Sequence, residues 1–361
     1  MTHDEKLIKV CIGLAIKGKG MVSPNPLVGS VVVKNNQIIG KGYHKKFGEA
    51  HAERNAVLDA EKKGFNVKGA SVYVNLEPCA HVGKTASCAE FLVSKKVKEV
   101  IIGMKDPYSK VNGKGIEILI KAGIKVKTGI LEKECMDLNK FFINFVTKKI
   151  PYVTLKIGQS IDGNIALNNF ESKYITGSES RKYVHKMRSE YDAVLIGKNT
   201  AIKDDPSLNV RDVTGRDPLR IVIDWNNSLK QNLKIFSDDN KDKTFVITKK
   251  SAEKYKGKKN LLFMVKDDRI FKLKSILKLL HGFNVNSVLV EGGSVLFSQF
   301  IKENLFDDIY FFIAPKIMGK GISPFDGFEI NSLNKTVDLK TEFTKRIGKD
   351  ILIKYKNCLQ V

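Results

Sequence analysis

Apolar positions in the first half of the chain follow two periods. Over residues 4–18, Leu7, Ile8, Cys11, Leu14 and Ala15 recur at helical spacing. Ser23-Pro24-Asn25-Pro26 interrupts that pattern. Leu27 to Val33 then forms an apolar strand run, with Gln37 to Tyr43 as its expected partner. Residues 52–63 read as a helix that Lys62-Lys63-Gly64 closes. Ser71 to Leu76 alternates as a strand, with Val72, Val74 and Leu76 assigned to one face. A helix over 89–97, a strand at Glu99 to Met104, a turn at Asn112-Gly113-Lys114-Gly115, a helix at 116–122 and a strand at Ile124 to Thr128 follow. A single helix over roughly 131–147 leads to Pro151. Mixed helices and strands in this order predict a three-layer α/β domain, with a boundary near residue 148.

The second half restarts with a strand at Tyr152 to Ile157, followed by Ser160-Ile161-Asp162-Gly163. A helix is expected over 178–189, strands at Ala193 to Gly197, Leu219 to Asp224 and Thr244 to Thr248, and a loop at Asp204-Asp205-Pro206. Asn286 to Val290 enters Glu291-Gly292-Gly293 and then a helix over 294–302. Strand, diglycine and helix together suit an anion, because free N–H groups face it and glycine lets it approach. The spacing is not G-x-G-x-x-G, so the dinucleotide fingerprint is absent. Residues 238–260 are rich in Lys and Asp and read as solvated surface. No internal repeat is visible.

Charge changes this picture little. Lys and Arg number 62 against 39 Asp and Glu in 361 residues, a net +23. Lysine is spread along the whole chain, with no Arg-rich tract and no aromatic–basic interleaving, which argues against a single-strand nucleic-acid groove. The positive field suits anionic small substrates. No apolar run reaches a membrane span, and Met1 to Lys9 lacks a signal-peptide core. Five irregularly spaced cysteines do not make a disulfide framework and point to a reducing cytoplasm.

Candidate chemistry concentrates between Gly48 and Cys88. Ala50-His51-Ala52-Glu53 precedes Glu77-Pro78-Cys79 and then Cys88. One imidazole and two thiolates are three ligands suited to Zn²⁺ with a fourth position left open, as a catalytic metal requires. A carboxylate two residues past the histidine can shuttle protons. H-x-E with P-C-x-x-C is the pattern of zinc nucleobase deaminases, but here eight residues, Ala80 to Ser87, separate the cysteines. Residues i and i+2 diverge on a regular helix. His51 and Glu53 are therefore expected in a first turn, and Cys88 at the start of the next helix.

These residues resemble a known family. Ser23-Pro24-Asn25-Pro26, Gly29, Gly42-Tyr43-His44, Ala50-His51-Ala52-Glu53 and Glu77-Pro78-Cys79 with the long gap to Cys88 resemble the pyrimidine deaminases of riboflavin biosynthesis. Lys156, Ser160-Ile161-Asp162-Gly163, Glu171 to Gly177, Asp204-Asp205-Pro206-Ser207-Leu208 and Val290-Glu291-Gly292-Gly293 are similar to the matching reductases. Nearly the whole chain is covered, in the order of the bifunctional deaminase–reductases. The resemblance implies a cytidine-deaminase-like three-layer α/β/α domain over 1–147 and a dihydrofolate-reductase-like α/β domain over 148–361. It implies zinc-dependent hydrolytic deamination of 2,5-diamino-6-(5-phosphoribosylamino)pyrimidin-4(3H)-one. NADPH-dependent reduction of the ribosyl group to ribityl would follow.

By the same resemblance, His51, Cys79 and Cys88 would bind Zn²⁺ and Glu53 would move protons. Gly158, Tyr174, Thr200, Asp204 and the segment Gly293, Ser294, Val295, Leu296, Phe297, Ser298, Gln299 would face NADPH. Lys156, Ser172, Arg188, Leu208, Arg211 and Glu291 would face substrate, with Arg188 and Arg211 clamping its phosphate. Tyr174 stands where the family often has Trp, and Ala86-Ser87 where it usually has two prolines. The expected partner is the small phosphoribosylaminopyrimidine, with no nucleic acid and no membrane. The sequence leaves a homodimer or homotetramer open, as it does NADPH against NADH. Two other readings share part of the pattern. A tRNA-editing deaminase would leave residues 150–361 unexplained. A non-catalytic zinc and nucleotide binder would not need Glu53.

Overall fold

The computed structural model describes residues 1–80, 87–109, 111–248, 262–264 and 272–358. The chain divides into two compact units, Met1–Lys149 and Ile150–Val361.

In the first unit the elements run α1 (His3–Ala15), β1 (Gly29–Lys34), β2 (Gln37–Tyr43), α2 (Ala52–Lys62), β3 (Ser71–Leu76), α3 (Cys88–Ser94), β4 (Glu99–Met104), α4 (Lys114–Lys121), β5 (Lys125–Lys127), α5 (Glu132–Leu138) and α6 (Lys140–Lys148). The sheet order is β2-β1-β3-β4-β5. Strands β3, β4 and β5 are parallel, and β1 is antiparallel to both its neighbours. Alternation sorts the side chains into two layers. Val32, Val72, Val74, Val100 and Ile102 pack against α2, α3 and α4 through Ala56, Val57, Leu92 and Leu119. Val31, Val33, Tyr73 and Ile101 pack against α1 and α5 through Leu7, Ile8, Cys11 and Cys135. Helix α2 lies close on β2, because a Cβ at Gly42 would sit 2.3 Å from the Ala56 nitrogen.

The second unit runs β6 (Tyr152–Ser160), β7 (Ala166–Leu167), α7 (Ser178–Glu190), β8 (Ala193–Gly197), α8 (Lys198–Asp204), β9 (Leu219–Ile223), α9 (Lys234–Ser237), β10 (Thr244–Thr248), β11 (Leu262–Met264), α10 (Leu273–Gly282), β12 (Ser287–Gly292), α11 (Ser294–Lys302), β13 (Asp308–Ala314), β14 (Gly321–Ile322), β15 (Leu339–Ile347) and β16 (Asp350–Asn357). Nine strands form one sheet, in the order β11-β10-β9-β8-β12-β6-β13-β16-β15. It is parallel from β11 to β13, and the last two strands are antiparallel. Val153, Leu155 and Ile157 of β6 meet Leu277 and Leu280 of α10 and Phe297 and Phe300 of α11 in one core. Thr154 points the other way and accepts the Tyr191 hydroxyl at 2.8 Å, just past the end of α7. The central parallel strands β8, β12 and β6 are thus largely buried on both faces, as parallel strands require.

Several sequence expectations need correction. The helix expected over 131–147 is two helices, broken at Asn139. That side chain is buried and takes the backbone of Leu27 from both sides, accepting its N–H at 2.8 Å and donating to its carbonyl at 3.0 Å. Leu76 packs with Tyr73, Ile101 and Met104, not with Val72 and Val74. β3 is buried along its whole length, so its last side chain can join either layer. The 238–260 stretch contains the buried strand β10, and its residues 249–260 lie outside the described residues. Helix α8 and strands β13, β15 and β16 were not anticipated.

The Asn139 bridge yields a test. Asn139→Ala strands the partly buried Leu27 N–H, while the Leu27 carbonyl keeps the Asn75 amide at 3.0 Å; the lost partner costs about 1–3 kcal/mol. A lowered denaturant midpoint for the first unit is expected, and an unchanged midpoint contradicts the bridge.

Candidate active sites

In the first unit three donors converge from three elements. His51 is the N-cap of α2, in extended backbone, and Glu53 lies in the first turn behind it. Cys79 follows the end of β3. Cys88 opens α3, whose N-cap Ser87 forms a reciprocal capping box with Glu90. His51 Nδ1 lies 3.6 Å from Cys79 Sγ and 3.3 Å from Cys88 Sγ. All three donor atoms lie within 4.8 Å of one another. A tetrahedral zinc with ordinary Zn–N and Zn–S bonds holds such N and S atoms about 3.6 Å apart. The donor set therefore fits zinc in type and spacing.

Electrostatics agree with that chemistry. The Cys88 thiol donates to Cys79, and with His51 beside it the Cys79 pKa drops to about 4, while that of Cys88 rises. Burial pushes Glu53 up to about 7, assisted by Cys79 and opposed by His51. His44 is buried, makes an edge-on ring contact with His51 at 5.3 Å, and pairs through Nε2 with Asn25 Nδ2 at 3.1 Å.

Glu77 holds the loop that carries Cys79. Its buried carboxylate accepts four backbone N–H groups: Asp106 at 3.1 Å, Gly113 at 3.0 Å, Gly115 at 3.0 Å and Ile116 at 3.3 Å. It thereby caps the N-terminus of α4, whose own N-cap Gly113 has no side chain to do so.

In the second unit a cleft of about 980 Å³ opens at the carboxyl ends of β6, β8, β9 and β12, where ligands of parallel sheets bind. Arg188 of α7 grips Glu291 with two parallel bonds, Nε to Oε1 at 2.6 Å and Nη2 to Oε2 at 2.9 Å. Lys156 Nζ lies 3.3 Å from the same carboxylate. Burial alone would raise the Glu291 pKa; the Arg188 and Lys156 cations outweigh it and bring the pKa to about 2. Ser172 donates to Asp204 at 2.8 Å, and Arg181 stacks 4.9 Å from the centre of the Tyr174 ring. A Cβ at Gly292 or Gly293 would approach Thr200 Oγ1 to 3.3 or 3.1 Å, so bare backbone lines the floor there. A roomy cleft with stacking rings, exposed backbone and cations fits a phosphorylated dinucleotide.

Comparison with known proteins is decisive. Residues 151–353 match the RibD C-terminal domain, and residues 1–104 match the cytidine and deoxycytidylate deaminase zinc-binding region. The riboflavin biosynthesis protein RibD of Aquifex aeolicus is 42% identical over 98% of both chains.

This chain belongs to the RibD family.

The RibD of Escherichia coli is 32% identical, covering 97% of this chain and 98% of that one. The solved diaminohydroxyphosphoribosylaminopyrimidine deaminase/5-amino-6-(5-phosphoribosylamino)uracil reductase of Thermotoga maritima superposes with a TM-score of 0.89 at 37% identity, covering 99% of each chain. A RibD structure from Acinetobacter baumannii gives 0.90 at 34%, covering 98% of this chain and 99% of that one. The fold is thus a cytidine-deaminase-like domain joined to a RibD-type reductase domain.

Within this RibD-family chain, the expected reductase residues mostly line one cleft. Gly158, Tyr174, Thr200, Asp204, Gly293, Ser294, Val295, Leu296, Phe297 and Gln299 do so, as do Lys156, Ser172, Arg188, Leu208, Arg211 and Glu291. Ser298 does not. It faces the other side of α11, where its hydroxyl donates to the Asp326 carbonyl at 3.0 Å. At Arg188, Glu291 and the Asn209 carbonyl take one N–H each of Nε, Nη1 and Nη2, which leaves two of its five donors. Arg211, 58% exposed at the rim, has donors to spare. Of the Ala86-Ser87 pair, Ala86 lies outside the described residues.

Sequence reasoning missed His185, Lys203, Trp225 and Lys234, which also line the cleft. For Trp225 a signal existed, because it follows the carboxyl end of a buried strand.

Glu77→Gln puts an amide N–H where four N–H groups converge. It should speed zinc release to a chelator by at least about 10-fold, in the range of lost supporting shells. An unchanged release rate means the cap does not brace the site.

Proposed function

We propose that the first unit deaminates 2,5-diamino-6-(5-phosphoribosylamino)pyrimidin-4(3H)-one by hydrolysis and that the second reduces the product's ribosyl group to ribityl. The observation that carries this reading is the trio His51, Cys79 and Cys88 with Glu53 buried beside it, on the same chain as the Arg188–Glu291–Lys156 cleft. His51, Cys79 and Cys88 would hold zinc, which supplies the Lewis acidity that activates water at neutral pH. Glu53 is the proton carrier. Its burial beside the ligands favours the neutral carboxyl over a fixed charge, as a group that both takes and gives a proton needs. It takes one proton from the attacking water and gives it to the ring nitrogen, then moves the second proton, from the hydroxyl now on the ring carbon, to the departing ammonia. His44 packs edge-on against the ligand His51, and Asn25 holds His44.

In the second unit NADPH supplies the hydride. The ring of Tyr174, stacked on by Arg181, would pack on the bound cofactor, and Thr200 and the Gly293 backbone would line its site. Glu291 stays ionised and fixes both Arg188 and Lys156. Lys156, still 17% exposed, would offer its remaining donors to the substrate's sugar. Leu208 and Ser172 wall the substrate, and Arg211 meets its phosphate. The five cysteines are all free thiols, which fits a reducing cytoplasm.

Two variants test the assignment. Glu53→Gln should keep zinc and lose about 10²–10⁴-fold in ammonia release, yet still reduce supplied aminouracil nucleotide. Glu291→Gln should release ammonia normally and lose NADPH consumption, because Arg188 is left buried without its carboxylate. A Glu53→Gln protein that deaminates at the wild-type rate removes Glu53 from the chemistry. A folded Glu53→Gln protein that fails to reduce the supplied nucleotide contradicts separate sites.

A further inference from the structure

Arg220 is 1% exposed and sits within β9. A guanidinium placed there must have its donors matched, because water cannot reach it. Nε donates to Thr244 Oγ1 at 2.9 Å, Nη2 to the Ile235 carbonyl at 2.9 Å, and Nη1 to Asp238 Oδ2 at 2.6 Å and to the Ser207 carbonyl at 3.0 Å. These partners come from three segments: β10, the α9 region, and the loop after α8.

The loop is the part that matters for the cleft. Asp205, Pro206, Ser207 and Leu208 all line it, whereas Arg220 and Asp238 lie behind the wall. Asp205 and Leu208 both have left-handed backbone, φ 39° and 51°. For residues with a Cβ such a conformation costs about 1–2 kcal/mol each and persists only when surroundings impose it. Leu208 is buried, so its side chain cannot relax outward. Arg220 supplies the constraint at the residue between the two strained positions. Asp205 adds a second tie, accepting the Lys234 N–H at 2.8 Å, and Lys234 is itself on the cleft wall.

We propose that Arg220 is a positioning residue for substrate in the reductase cleft. It acts through the Ser207 carbonyl to hold Leu208 where the substrate packs. The inference rests on the proposed reading of Leu208 as a substrate contact. A loosened loop weakens ground state and transition state alike, so the effect belongs in KM for the nucleotide.

The experiment compares full-length wild type, Arg220→Lys and Asp238→Ala. A lysine ammonium keeps the charge but cannot span a carboxylate, a hydroxyl and two carbonyls. Asp238→Ala removes the only carboxylate that Arg220 meets among the described residues, without touching the cleft wall. Supplied aminouracil nucleotide and NADPH are varied separately. Arg220→Lys should raise the nucleotide KM at least about 10-fold with kcat within about 3-fold, the signature of lost uniform binding. Asp238→Ala should shift KM in the same direction by less. NADPH binding, read by quenching of the single tryptophan, Trp225, on the cleft wall, should not move. Near-UV circular dichroism and the urea midpoint of the second unit are the control for its folding, and ammonia release the control for the first. Asp238→Ala decides alone if Arg220→Lys does not fold. Wild-type nucleotide KM in the folded variants overturns the proposal. A parallel rise in NADPH Kd also overturns it, because that is general loosening. Wild type that reduces nothing sinks the functional reading instead.

Discussion

A charge taken out of water must be met by fixed partners, and three such charges organise this chain. Glu77 is matched by four backbone N–H groups. Glu291 is matched by Arg188 and Lys156. Arg220 is matched by a carboxylate, a hydroxyl and two carbonyls. The net stability of a buried ion pair is small, but removing one partner costs about 3–5 kcal/mol. Such groups therefore specify an arrangement more than they stabilise it. Each of the three stands next to a segment that faces chemistry: Cys79, the floor of the cleft, and the Asp205–Leu208 loop.

Parallel strands explain where those segments are. Cys79 follows the carboxyl end of β3, and Asp106, whose N–H bonds Glu77, follows β4. In the second unit Gly158, Gly197, Trp225 and Glu291 stand at or just past the carboxyl ends of β6, β8, β9 and β12. Two unrelated reactions thus use the same end of a parallel sheet, where loops are free to vary while strands stay fixed. In the first unit helix starts complete the site. His51 and Cys88 open α2 and α3, so partial positive charge faces both thiolates.

The sequence shows the donor set well because its signals are local. His-x-Glu cannot share a face mid-helix, which predicted the first-turn placement of His51 and Glu53 that α2 adopts. Strands such as Glu99–Met104 and Ala193–Gly197 were legible because both faces are buried and the apolar runs are unbroken. What failed depends on distant partners. Nothing near Asn139 announces that its amide serves Leu27, 112 residues away. The edge strand β15 is mostly exposed, so its Lys- and Thr-rich sequence carries no burial pattern. Nothing near Arg188 in the chain announces that Glu291, 103 residues away on β12, takes two of its five N–H donors. Arg220 lies inside the strand Leu219–Ile223, and no residue beside it shows that its donors go to Ser207, Ile235, Asp238 and Thr244.

The central claim is that one chain holds two chemically independent sites, only one of which needs metal. Removing zinc from the wild-type protein with a chelator, then supplying each nucleotide in turn with NADPH, tests it most directly. The account predicts that ammonia release from the diaminopyrimidine nucleotide stops and returns on adding zinc. Reduction of the aminouracil nucleotide should continue at the untreated rate throughout. Loss of both activities on chelation, with the second unit still folded and still binding NADPH, would contradict it.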